Sequence, residues 1–140
     1  MNLPKNKSGF TLIEIMIVVI IIGVLASLAL PKFFSTVEYS RSQEALSAIA
    51  TVRGGLERYY VSKGNSYTGA TTSNIDTADP LKGQPNAHFA LAVGSTSTSG
   101  YTITATRNTV DGGTNTDTVV LTQTSSTIIR SGTTAFAGIN

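Results

Sequence analysis

Residues 10–30 read FTLIEIMIVVIIIGVLASLAL, 21 positions in which Glu14 is the only charge. A helix of about 20 residues spans the roughly 30 Å hydrocarbon layer of a bilayer. A helix that is apolar all round is either a membrane span or the centre of a large core. With 140 residues, the rest of the chain is too small to surround it on every side. The stretch therefore reads as a single transmembrane helix. Lys5 and Lys7 precede it, which places the N-terminus on the cytoplasmic side and the remainder outside.

Working toward the C-terminus, residues 31–63 turn polar but stay periodic. Ala45, Ile49, Val52, Leu56 and Tyr59 recur at three- and four-residue steps and make one apolar stripe. Glu38, Arg41, Gln43 and Glu44 fall largely off it. Pro31 is expected to kink or locally unwind the helix. Gly54-Gly55 weakens it without ending it, and Lys63-Gly64-Asn65 is the expected stop. A helix from Phe10 to about Ser62 measures roughly 80 Å, more than a domain this small can bury, so about half of it should protrude.

Residues 64–140 are rich in Gly, Ser and Thr. A loop over 64–86 carries Gly69, Pro80, Gly83 and Pro85. Strands are predicted at His88–Val93, Tyr101–Arg107, Asp117–Gln123 and Thr127–Arg130. In the second, Tyr101, Ile103 and Ala105 alternate with threonines, the pattern of a half-buried strand. Asp111-Gly112-Gly113 punctuates the turn that follows. The expected fold class is α+β: one long helix packed on a small antiparallel sheet of about four strands, connected as a meander. Four zones result: 1–9, a short basic leader; 10–30, the apolar helix; 31–63, its amphipathic continuation; and 64–140, loop and sheet.

Composition narrows the function classes. There is no Cys, which excludes disulfides and thiolate chemistry. The pI of about 9.0 and formal charge of +2 rest on Lys5 and Lys7; without the leader, eight Lys+Arg face eight Asp+Glu. The remaining cations are scattered, so no nucleic-acid partner is read from the charge pattern. His88 is the only His and reads as a strand residue, partly buried or at the surface. No nucleophile elbow, phosphate loop, zincin motif or dinucleotide fingerprint occurs, so neither catalytic residues nor a cofactor is predicted. Asp111 and Asp117 flank a Gly/Asn-rich turn, either a solvated turn or a source of oxygen ligands for calcium. No metal residue is assigned. Phe33, Phe34, Tyr39, Tyr59 and Tyr60 are read as packing residues on the helix. Ser/Thr-rich runs such as 94–100 read as solvated loop, with O-glycosylation as the other use.

Ser8-Gly9-Phe10-Thr11-Leu12-Ile13-Glu14, followed by a long uncharged run, resembles the type IV pilin signature. The resemblance covers residues 5–63, and Gly23 and Pro31 fall where pilins commonly carry Gly and Pro. It implies that a prepilin peptidase cuts between Gly9 and Phe10 and N-methylates Phe10. Subunits then wait in the inner membrane as single-pass proteins. An ATP-driven assembly platform lifts them into an extracellular helical filament of identical copies. The segment between Gly23 and Pro31 is the part of the family's helix that loosens on assembly; the alternative is a kink of packing value only.

The chemistry fits those roles. A carboxylate within a membrane costs about 2.5–3.5 kcal/mol on insertion scales unless neutralised. Cleavage creates a cation, the Phe10 amine, which methylation preserves. In the resembling family Glu14 pairs with that amine on a neighbour and sets subunit register; residues four apart on one helix face can also pair within a chain. The expected function is a pilus subunit, of the major kind. Alternatives are the major pseudopilin of a type II secretion system and, from another class, a single-pass membrane-anchored binding module.

Overall fold

The structure is a computed structural model that describes residues 9–77 and 79–139. The readings placed on Lys5, Lys7 and Ser8 lie outside the described residues. The chain forms two compact units, the first ending at Thr36 and the second beginning at Val37. Helix α1, Leu12–Ser62, supplies residues to both.

In the first unit, α1 starts two residues later than expected, with Thr11 as its N-terminal cap. The apolar side chains from Phe10 through Phe34 are all exposed, so none of the described residues supplies the apolar environment they require. The helix runs unbroken through Gly23 and Pro31. Pro31 offers no N–H to the Ser27 carbonyl, and the Ser27 hydroxyl donates to the Val24 carbonyl at 2.7 Å. Gly23 faces open space, with no atom within 4 Å of a Cβ placed there.

In the second unit, the predicted stripe Ala45, Ile49, Val52, Leu56 and Tyr59 is buried throughout. The helix ends where Gly64 and Asn65 both adopt left-handed φ, +69° and +63°. The Asn65 N–H donates back to the Tyr60 carbonyl at 2.9 Å, satisfying an acceptor the last turn would leave open. Strands β1 (Phe89–Gly94), β2 (Tyr101–Arg107), β3 (Thr118–Gln123) and β4 (Ile128–Gly132) form one antiparallel sheet in the order β1-β2-β3-β4. This is the expected meander, with strand ends displaced by one or two residues.

Alternation decides which face packs. Tyr101, Ile103, Ala105 and Arg107 of β2 are buried while the threonines between them are only half covered. Phe89 and Leu91 of β1 and Val119 and Leu121 of β3 join the same core as the α1 stripe. After β4 the chain folds back through a 3₁₀ turn, Thr134–Phe136. It buries Phe136 and Ile139, with the Phe136 ring 5.6 Å from that of Phe89. This closing segment has no signature in the sequence, because two apolar residues in a short polar tail carry no period.

The loop after α1 is held by its own side chains. Asn74 accepts from the Thr71 N–H at 2.7 Å and donates to the Gly69 carbonyl at 2.8 Å. Tyr67, Ala70 and Ile75 are buried. Gly55 on α1 admits this loop: a Cβ there would lie 2.8 Å from the Thr77 hydroxyl and 2.9 Å from its Cβ.

Candidate functional site

The site indicated by the sequence lies at the start of α1. Gly9 and Phe10 precede the helix in irregular backbone. Phe10 is 86% exposed and nothing approaches the Gly9 Cα side within 4 Å. Both residues are exposed.

Thr11 and Glu14 form a reciprocal cap. The Thr11 N–H donates to Glu14 Oε2 at 2.8 Å, and its hydroxyl donates to the same oxygen at 2.7 Å. The Glu14 N–H lies 3.3 Å from the Thr11 hydroxyl oxygen. A threonine cap with a glutamate three residues on satisfies two orphan N–H groups of the first turn, and the carboxylate sits favourably at the positive end of the helix dipole. Both Thr11 donors fall on one carboxylate oxygen, so Oε1 has no hydrogen-bond donor among the described residues. From sequence, Glu14 was read alone. The Thr-x-x-Glu spacing carried this pairing, and it went unread.

The second unit gathers the polar residues that sequence left apart. Arg107 is wholly buried. Its guanidinium donates to Glu38 at 3.1 and 3.3 Å and to the carbonyls of His88 and Asn108. It also lies over the Phe89 ring, 5.8 Å from its centroid. Arg41 pairs with Glu38 and, at 3.3 Å, with Asp111. Burial pushes the Glu38 carboxyl up, but hydrogen bonds and charge from Arg107 and Arg41 outweigh it and hold it below the usual carboxylate range.

His88 stands one residue before β1, its ring 2.7 Å from Glu44 and 3.2 Å from Asp111. Asp111, at φ +52°, reaches Arg41 and His88 while its side chain stays exposed. Among the described residues no group of three or more His, Cys, Asp and Glu is arranged to hold a metal ion.

A tyrosine stack lies at the opposite end of β2 from Arg107. Tyr67 packs 4.5 Å from Tyr60 and 4.7 Å from Tyr101 between ring centroids. Tyr67 and Tyr101 both donate to Glu57, at 3.0 and 3.4 Å. Burial, then the Glu57 carboxylate, pushes the Tyr67 phenol up to about 12. Burial and Glu57 raise the Tyr101 phenol as well.

Comparison with known proteins covers most of the chain. Residues 4–30 match the family described as the prokaryotic N-terminal methylation motif. Residues 31–118 match the family described as type IV minor pilin ComP, DNA uptake sequence receptor. Fimbrial protein EcpC of Eikenella corrodens is 44% identical over 62 residues, 44% of this chain and 40% of the relative. A fimbrial protein of Neisseria meningitidis serogroup B is 32% identical over 78 residues, 56% of this chain and 46% of the relative. Type II secretion system core protein G of Escherichia coli is 42% identical over 59 residues, 42% and 41% of the two chains. The chain thus spans less than half the length of these relatives. No solved structure matches.

Proposed function

The chain belongs to the type IV pilin family, and on that premise we propose that it is a structural subunit of a type IV pilus. It waits in the inner membrane on residues 10–30. Prepilin peptidase cuts between Gly9 and Phe10 and methylates the new amine. The assembly platform and its ATPase then move the subunit into an extracellular helical filament. The observation that carries this reading is the Glu14 carboxylate at the head of an apolar helix whose side chains are all exposed. Such a surface needs a lipid or a bundle of like helices, and such a charge needs a cation at the same depth.

The Thr11–Glu14 cap does not involve the Gly9–Phe10 peptide, so it survives cleavage. Oε1 is then the atom that meets the Phe10 amine of a neighbouring subunit and sets axial register. Gly23 and Pro31 are the points at which the helix loosens on assembly: a Cβ at Gly23 would meet no atom within 4 Å, and Pro31 withholds one helix hydrogen bond.

Mass spectrometry of the sheared extracellular fraction tests the reading. A chain beginning at N-methylated Phe10 is expected, whereas an intact Met1 confined to membranes would defeat it. Glu14→Ala should be cleaved but poorly incorporated; normal fibres from it would remove the register role.

A second reading, a pseudopilin of a type II secretion system, is favoured by the core protein G relatives over the N-terminal part of the chain. It predicts loss of secreted enzymes, with surface pili intact, on deletion. The DNA-receptor role named for the matched domain family is not carried to this chain. Its arginines at 41, 53, 58 and 107 are each engaged by a carboxylate of the same chain, so these four are not read as ligands for a phosphate backbone.

A further inference from the structure

Residues 10–30 cover roughly 30 Å, the depth of the hydrocarbon layer. The next turn of α1 differs in kind. Lys32, Phe33 and Phe34 stand in succession and all three are exposed, the two rings 63% and 64% so. At about 1.5 Å per residue they lie roughly 3–6 Å beyond Leu30. The headgroup layer on each side of a bilayer is about 5–7 Å deep, so all three fall inside it.

The chemistry of this turn suits that layer. Phenylalanine rings bury at the boundary of headgroups and acyl chains, while a lysine lays its stem along apolar surface and lifts its ammonium to anionic headgroups. Successive residues point about 100° apart around a helix, so Phe33 and Phe34 cover two directions instead of one seam. Their centroids lie 6.1 Å apart with the rings edge to face. The Lys32 ammonium forms no ion pair among the described residues. The Ser35 and Thr36 hydroxyls both donate to the Lys32 carbonyl, at 2.8 and 2.9 Å. The polar groups that follow are thus satisfied within the helix, as a site poor in water requires.

We propose that Lys32, Phe33 and Phe34 anchor the subunit at the outer surface of the inner membrane, the rings at the headgroup–acyl boundary and the ammonium on anionic lipid headgroups. The anchor fixes the depth at which the subunit waits before assembly. The inference rests on the membrane-held precursor of the reading above and extends it past residue 30. Lipid is favoured over a second copy by charge. No acid occurs between Glu14 and Glu38, so a like helix side by side at the same depth offers Lys32 no partner, whereas anionic headgroups do.

The chain has no Trp, so single-tryptophan variants report depth without background. Phe33→Trp, Phe34→Trp, Val18→Trp and Val61→Trp are each made in the full chain and reconstituted in vesicles of phosphatidylethanolamine and phosphatidylglycerol. Lipids brominated near the headgroup or near the acyl terminus serve as shallow and deep quenchers. All four positions are exposed, and far-UV circular dichroism verifies that the fold persists. Val18→Trp should be quenched most by the deep bromines, Phe33→Trp and Phe34→Trp by the shallow ones, and Val61→Trp by neither. Lys32→Glu should reduce the shallow quenching of Phe34→Trp in these vesicles and leave it unchanged in phosphatidylcholine; an equal loss in both would overturn the headgroup contact. Quenching of Phe34→Trp as deep as that of Val18→Trp would overturn the anchor by placing this turn within the span. An unquenched Phe34→Trp beside a deeply quenched Val18→Trp would overturn it too, and would leave the membrane-held precursor standing. An unquenched Val18→Trp would remove both.

Discussion

Arg107 donates to both carboxylate oxygens of Glu38 although 69 residues separate them. The arginine is wholly buried while the glutamate side chain is 23% exposed. The pair ties the end of β2 to α1 just past the start of the second unit. A buried guanidinium is tolerable only while its donors are met, and here Glu38, two carbonyls and the Phe89 face meet them.

Truncating the acid should therefore be costly. Glu38→Ala leaves Arg107 buried and uncompensated, and we expect a loss of about 3–5 kcal/mol. Denaturant unfolding of the full chain in detergent measures it. Replacing both residues, Glu38→Ala with Arg107→Met, should recover much of the loss, because no buried charge remains.

The same pair makes stability depend on pH. The native Glu38 carboxyl titrates below its ordinary range, so the folded state binds its proton less readily than the unfolded chain. Its contribution is present above the unfolded value and is lost as pH falls through the native one. Thermal unfolding temperatures should drop on acidification across that window, and Glu38→Gln should flatten this part of the profile.

Gly55 tests the packing of the loop onto α1. In an exposed helix, Gly→Ala would stabilise by roughly 1 kcal/mol. Here the added methyl would collide with Thr77, and we expect a net loss of about 1–3 kcal/mol, as for other overpacked sites. Gly55→Ala with Thr77→Gly should relieve most of it. A stabilised single variant would contradict the close approach.

Thr11 should matter beyond its cap. Thr11→Ala removes an N-terminal cap worth about 0.5–2 kcal/mol of helix stability and frees Glu14 to adopt other rotamers. The expected result is normal cleavage with reduced incorporation, read as the ratio of sheared to membrane-bound chain. Thr11→Ser keeps the hydroxyl and should incorporate normally.

The features that were legible from sequence are those that a short window contains. The apolar run of residues 10–30 and the three- and four-residue stripe from Ala45 to Tyr59 each carry a period. So does the alternation of Tyr101, Ile103 and Ala105. Periodicity encodes which face must leave water, and that was enough for the α+β architecture and the meander. The junction at Gly9-Phe10 with Glu14 beyond it was equally local.

What the sequence left open depends on residues brought together across long separations. Arg107 sits in a run that reads as an ordinary strand end, and only the packing of β2 on α1 shows it to be buried and paired. His88 and Asp111 looked like a strand histidine and a turn aspartate, yet the fold sets them against each other and against Glu44 and Arg41. Gly55 looked like a weak point in a helix, and the loop that needs its missing Cβ lies more than twenty residues on. By itself, then, the sequence determined that an apolar helix lies in the N-terminal part of the chain and that an amphipathic continuation packs on a sheet, because hydrophobic patterning acts through neighbouring residues. The tertiary structure alone decided which charges are buried together, how the loop and tail close the core, and which sheet edges stay open, because electrostatic and steric partners are chosen by proximity in space.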